Sequence, residues 1–81
     1  MWIRSQNKKI LSKVNEVLIC TMDDNKYFIE WFWNRGSDTL GIYSSEEKAL
    51  KVLDQIQYNM EPFEHEPTMV FQMPADEDVE V

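Results

Sequence analysis

Residue types able to carry chemistry are few and scattered in this chain. Cys20 and His65 are each the only residue of their kind. A thiol–imidazole pair needs proximity in space rather than in sequence. Yet Cys20 closes the apolar run Val17-Leu18-Ile19-Cys20 and His65 lies in a charged connector, so both read as structural. Ser44 and Ser45 precede a helical pattern, where capping accounts for them. Acid–base work needs two carboxyl groups held in different protonation states by different surroundings. Asp23-Asp24 reads instead as turn chemistry. Glu64-His65-Glu66 lacks the His-Glu-x-x-His spacing of a zinc helix, and the pattern of a calcium loop is missing too. Gly36 and Gly41 form no phosphate cradle. The expectation is a protein that is not an enzyme, with no catalytic residue, no metal and no cofactor.

Two other groups of side chains are better placed to act. The first is aromatic: Tyr27, Trp31 and Trp33 recur at alternate positions, and with Trp2 they form the candidate protein interface. The second is cationic. Arg4, Lys8, Lys9 and Arg35, with Lys13 and Lys26, are the alternative contacts for a nucleic acid, whose bases would stack on the aromatic strand. Fifteen acidic residues against eight basic ones set the formal charge of the 81 residues at −7. This opposes nonspecific attraction to nucleic acid or to anionic membranes. The charge is uneven: residues 1–40 hold six basic and five acidic side chains, and residues 41–81 hold two and ten. A protein partner or a second copy of the chain is therefore the expected ligand, and nucleic acid the less favoured one. The acidic half could engage a basic protein patch.

These residues need elements to position them. Trp2-Ile3-Arg4 and Lys9-Ile10-Leu11 predict a short hairpin turning at Gln6-Asn7-Lys8. Glu16–Thr21 reads as a strand and residues 22–26 as a turn. Residues 26–34 then place Tyr27, Ile29, Trp31 and Trp33 on one face, with Phe28, Glu30 and Phe32 on the other. Both faces are largely apolar, so the helix can cover one and something else must meet the other. Asn34–Ser37 supplies a turn, with Gly36 as its permissive residue, and Thr39–Tyr43 returns as a strand. Gly41 marks a bulge or close packing under a bulky neighbour. A helix follows, capped by Ser44 with Glu47 completing a capping box. Ala49, Val52, Leu53, Ile56 and Met60 line its buried stripe, Leu50 widens it, and Pro62 stops it. Pro62 and Pro67 bracket an acidic connector, and Thr68–Met73 is the last strand.

The order of elements predicts an α+β class: a small antiparallel or mixed sheet packed against one main helix. The expected division is a single domain over residues 1–74 and an exposed, flexible acidic tail over 75–81. No stretch of 18 apolar residues is present, so no membrane-spanning helix is expected. One cysteine allows no internal disulfide. Met1–Gln6 lacks the pattern of a secretory signal, and the expected location is cytoplasmic.

Three segments carry a family resemblance: Met1–Lys9, Leu40–Gln57 and Phe71–Pro74 with the acidic residues after it. They resemble small proteins of uncharacterised role from Gram-positive bacteria and their phages or prophages. The matching segments cover under half of the chain and contain no catalytic motif. The resemblance implies an intracellular accessory protein, acting on a host protein in the phage case, and it transfers no residue roles.

Overall fold

The hydrophobic periods are answered by six strands and one long helix in the computed structural model, which describes residues 2–14, 16–23, 26–60 and 70–81. In chain order these are β1 (Trp2–Arg4), β2 (Leu11–Lys13), β3 (Val17–Asp23), β4 (Lys26–Trp33), β5 (Gly36–Tyr43), α1 (Glu46–Met60) and β6 (Val70–Gln72), followed by a 3₁₀ turn at Asp76–Asp78. The α+β class is as expected, with the strands divided between two sheets. One is the antiparallel meander β3-β4-β5; the other has the order β2-β1-β6, with β1 antiparallel to β2 and parallel to β6. The connector holding Glu64, His65 and Glu66, together with Thr68 and Met69, lies outside the described residues.

The first hairpin forms, but its returning strand starts at Leu11 rather than Lys9 because the loop is longer than the sequence pattern suggests. Buried Ser5 organises that loop. Its N–H donates to the Ile10 carbonyl at 2.8 Å, its hydroxyl donates to Asn7 Oδ1 at 2.7 Å, and the same oxygen accepts the Ile10 N–H. Asn7 Oδ1 also accepts the Lys9 N–H, and Lys8 takes a left-handed φ of 70°.

Gln6 joins the two sheets. Its backbone N–H donates to the Leu40 carbonyl. Its carboxamide accepts the Ile42 N–H and donates to the Ile42 and Pro74 carbonyls. One side chain thus satisfies strand-edge groups that a neighbouring strand would otherwise pair.

The core gathers Ile3, Val14, Ile29, Leu40, Tyr43, Ala49, Val52, Ile56, Met73 and Val79. On α1 the buried positions are Ala49, Val52 and Ile56, with Leu53 half-buried. Leu50 does not widen the stripe: it is 47% exposed, on the side of the helix turned from the sheet. The Met60 side chain falls outside the described residues. The helix cap also differs by one position. Ser45 Oγ accepts the Lys48 N–H at 3.1 Å, so Ser45 is the N-cap and no Ser44–Glu47 box forms. Ser44 is held elsewhere, its N–H donating to Asp76 Oδ1 at 2.8 Å and its hydroxyl to the same oxygen.

That contact changes the picture of residues 75–81. Glu77, Asp78, Glu80 and Val81 are exposed, but Val79 is buried in the core and Asp76 is tied to Ser44 and Lys48. Those carboxylates face solvent, whereas Val79, the apolar residue among them, packs into the core.

Candidate interaction surfaces

Strand register determines which side chains of β4 meet the core. Tyr27, Ile29 and Trp31 pair with Thr21, Ile19 and Val17 of β3. Ile29 is fully buried, while Tyr27 and Trp31 are half-buried against the core. The face expected to be a protein interface is therefore mostly the inner face, turned to α1. Trp33, at the strand end, is 42% exposed and stands 6.0 Å from Trp31, ring centre to ring centre. Both indoles line an open depression of about 470 Å³ with Glu16, Phe32, Asn34 and Arg35. Trp2 belongs to the other sheet, so the four residues do not make one surface.

The opposite face of β3-β4-β5 is the one left open. Leu18, Cys20, Phe28, Glu30, Phe32 and Ile42 lie on it by register. Leu18 is 37%, Phe32 48% and Ile42 42% exposed. A bulge shapes this face. Ile29 pairs with Gly41 and Glu30 with Thr39, leaving Leu40 as the extra residue of β5. The added residue lets Leu40 and Gly41 both turn inward, where both are buried, and returns Thr39 to the outer side. There Thr39 Oγ1 donates to Glu30 Oε2 at 2.7 Å. Glu30 is only 9% exposed despite lying on the outer face, because the surrounding side chains cover its stem. The alternation Phe28-Glu30-Phe32 was the signal in the sequence for this surface; what hid it was that both faces of β4 are apolar.

The cationic residues divide. Ile3 is buried, so Trp2 and Arg4 share the outer face of β2-β1-β6, opposite Lys13 and Leu11 in register. Arg4 Nε–H donates to the Lys8 carbonyl, and Lys8 Nζ donates to Gln72 Oε1. Trp2, Arg4, Lys8, Lys9 and Lys13 are thus brought together, with Lys9 and Lys13 exposed. Arg35 is not with them: it lies at the β4–β5 turn, five residues along the chain from the Leu40 carbonyl that Gln6 contacts, roughly 15 Å of strand.

No protein-family model, curated protein or solved structure matches the chain. The functional reading accordingly rests on these surfaces.

Cys20 is half-buried on β3, paired with Phe28. Among the described residues, no three His, Cys, Asp or Glu side chains are grouped to hold a metal ion, and no helix is long and apolar enough to cross a membrane. Two groups have displaced acidities. The buried Tyr43 hydroxyl donates to the Pro74 carbonyl at 2.7 Å, and burial, aided by the nearby Asp76 charge, raises it well above the ordinary phenol value. The pKa of Asp76 is lowered, first by the Ser44 N–H, which outweighs the opposing effect of burial, and further by the Ser44 hydroxyl and the Lys48 ammonium. Tyr43 fastens Pro74 to the fold, and Asp76 fastens the segment that follows it.

Proposed function

We propose that this chain is a noncatalytic interaction protein whose docking surface is the outer face of β3-β4-β5. One observation carries the reading: Leu18, Phe32 and Ile42 stand exposed on a single register-matched sheet face, with Phe28 half-buried among them. Contiguous exposed apolar surface of this kind is costly to leave in water and is the usual material of a protein contact. The accessory role and the action on a host protein implied by the family resemblance are a narrower form of the same reading. Affinity capture with the wild type and a Phe32→Ser/Ile42→Ser variant tests it. A partner retained by the wild type and lost by the folded variant supports the reading; equal retention, or an empty capture at low and moderate salt, defeats it.

The β1–β2 hairpin favours a second reading, a nucleic-acid accessory protein. Trp2, Arg4, Lys8, Lys9 and Lys13 lie together there, and no carboxylate of the described residues pairs with those cations. Titration of single- and double-stranded oligonucleotides at low salt checks this. Binding that weakens with Lys9→Glu and Lys13→Glu supports it, and absence of binding ends it.

A further inference from the structure

The outer face of β3-β4-β5 is not uniformly apolar: Lys26 stands on it at the start of β4, paired in register with Asp23, and Glu30 is the charged side chain at its centre. Glu30 occupies the middle strand, between Leu18 of β3 and Thr39 of β5 in register and between Phe28 and Phe32 along β4. It is 9% exposed. Oε2 accepts the Thr39 hydroxyl, and no other described residue bonds this carboxylate. No polar side-chain atom of the described residues is both sealed and unbonded, so the second oxygen keeps contact with solvent.

A partner that covers Leu18, Phe32 and Ile42 also removes that solvent. Burying a carboxylate without a replacement donor costs several times what an apolar contact returns. A lysine or arginine set onto the free oxygen reverses the balance, because a charge-assisted bond in a desolvated site is among the stronger contacts available to an interface. A second copy docked by the same face about a central two-fold axis would bring Glu30 against Glu30, like charges in a dry contact. The face thus selects against its own duplicate.

We propose that the outer face of β3-β4-β5 docks a protein segment that inserts a lysine or arginine onto Glu30 among apolar side chains. This rests on the interaction reading given above and adds the chemistry of the partner. Glu30 sets specificity, while Leu18, Phe28, Phe32 and Ile42 supply contact area.

The test pans a displayed library of random peptides against the immobilised full chain and against Glu30→Gln, both verified as folded by circular dichroism. The wild type is expected to enrich peptides with a basic residue flanked by apolar ones, and Glu30→Gln to enrich apolar peptides without it. A selected peptide is then titrated by fluorescence anisotropy beside a twin carrying norleucine at the basic position. The wild type binds the twin about tenfold more weakly or worse, whereas Glu30→Gln binds the two about equally. Peptides with no basic bias, a bias that persists in Glu30→Gln, or an empty selection overturns the proposal. So does a wild-type dimer in sedimentation that Phe32→Ser abolishes, which makes a second copy the occupant. Peptides that lack the bias but still require Phe32 and Ile42 remove only the cation and leave the interaction reading standing; peptides indifferent to both residues remove the surface as well.

Discussion

Gly41 and Gly36 differ in what surrounds their α-carbons, and that difference separates a packing glycine from a replaceable one. A methyl group at Gly41 would stand 2.9 Å from Tyr43 Cε2 and 3.1 Å from Met73 Cε, both belonging to buried side chains. Gly41→Ala is therefore expected to destabilise the fold by about 1–3 kcal/mol through overpacking. At Gly36 the nearest atom is Trp33 Cζ2 at 3.7 Å, an ordinary contact, and neither glycine has a positive φ. The turn is formed by Asn34 and Arg35 while Gly36 is already paired with Trp33, so its expected role as the permissive turn residue is not used. Gly36→Ala should be neutral or raise stability by up to about 1 kcal/mol by restricting the unfolded chain. Urea melts of the two variants check the pair, and similar losses in both would contradict the packing argument. Tyr43 gives a pH-dependent counterpart. Its raised pKa means that its contribution is complete below the ordinary phenol value of about 10 and is lost as pH rises toward the raised one. Tyr43→Phe should cost about 1 kcal/mol near neutrality, since the hydroxyl–Pro74 bond goes, with Gln6 still donating to that carbonyl. The deficit should shrink in melts carried out above pH 10, because the variant has no phenol to ionise on unfolding; a constant deficit would argue against burial as the cause.

At the level of elements, local pattern was informative and long-range pairing was not. The α1 stripe apart from Leu50 and the β4 alternation were readable because each rests on neighbours a few residues away, while the first hairpin was readable as a hairpin but not in the bounds of its second strand. Two choices depended on distant residues. Either Ser44 or Ser45 could cap α1 by sequence, and the decision falls to Asp76, which claims Ser44 from 32 positions along the chain. The parallel pairing of β6 with β1, from Trp2–Val70 to Arg4–Gln72, has no local signature at all. The cap assignment makes its own forecast. Ser45→Ala should cost about 1 kcal/mol, as N-cap truncations do. Ser44→Ala should cost less, because the backbone N–H that chiefly holds Asp76 remains. Reversal of that order in thermal melts would restore Ser44 as the cap. Asp76 joins the same junction to pH. Its pKa is lowered, so its stabilisation is present above the ordinary carboxylate value of about 4 and is lost as pH falls through the lowered one. Asp76→Asn should flatten the acid limb of the stability curve, and an unchanged limb would show that the Ser44 and Lys48 contacts contribute nothing net.

For the whole molecule, the consequence of 81 residues is a sheet with more apolar side chains than one helix can cover. Half of the candidate site was legible from this: β4 carries apolar residues on both faces, so one had to look outward. Which one did was not legible, since Tyr27, Trp31 and Trp33 are as apolar as Phe28 and Phe32. The bulge at Leu40 completes the open face by bringing Thr39 to Glu30, and Gly41 beside it was the residue that signalled a bulge in the sequence. Stability alone does not favour this arrangement. A carboxylate covered to 9% exposure gives up hydration for one hydroxyl bond, and apolar residues in such positions are commonly as stable or more so. Glu30→Leu is therefore expected to leave folding stability unchanged or raise it by about 1 kcal/mol. It should also make the outer face continuously apolar from Leu18 to Ile42 and remove the like-charge barrier to face-to-face pairing. The two effects are separable: urea melts at low concentration read the first, and sedimentation equilibrium over a concentration series reads the second. If the wild type stays monomeric while Glu30→Leu associates, and adding Phe32→Ser reverses it, the buried acid is retained at the expense of stability because it keeps copies of this chain apart. If Glu30→Leu instead unfolds, Glu30 is a structural member of the β4–β5 pair; if it folds and remains monomeric at high concentration, like-charge repulsion at Glu30 is not what keeps copies apart.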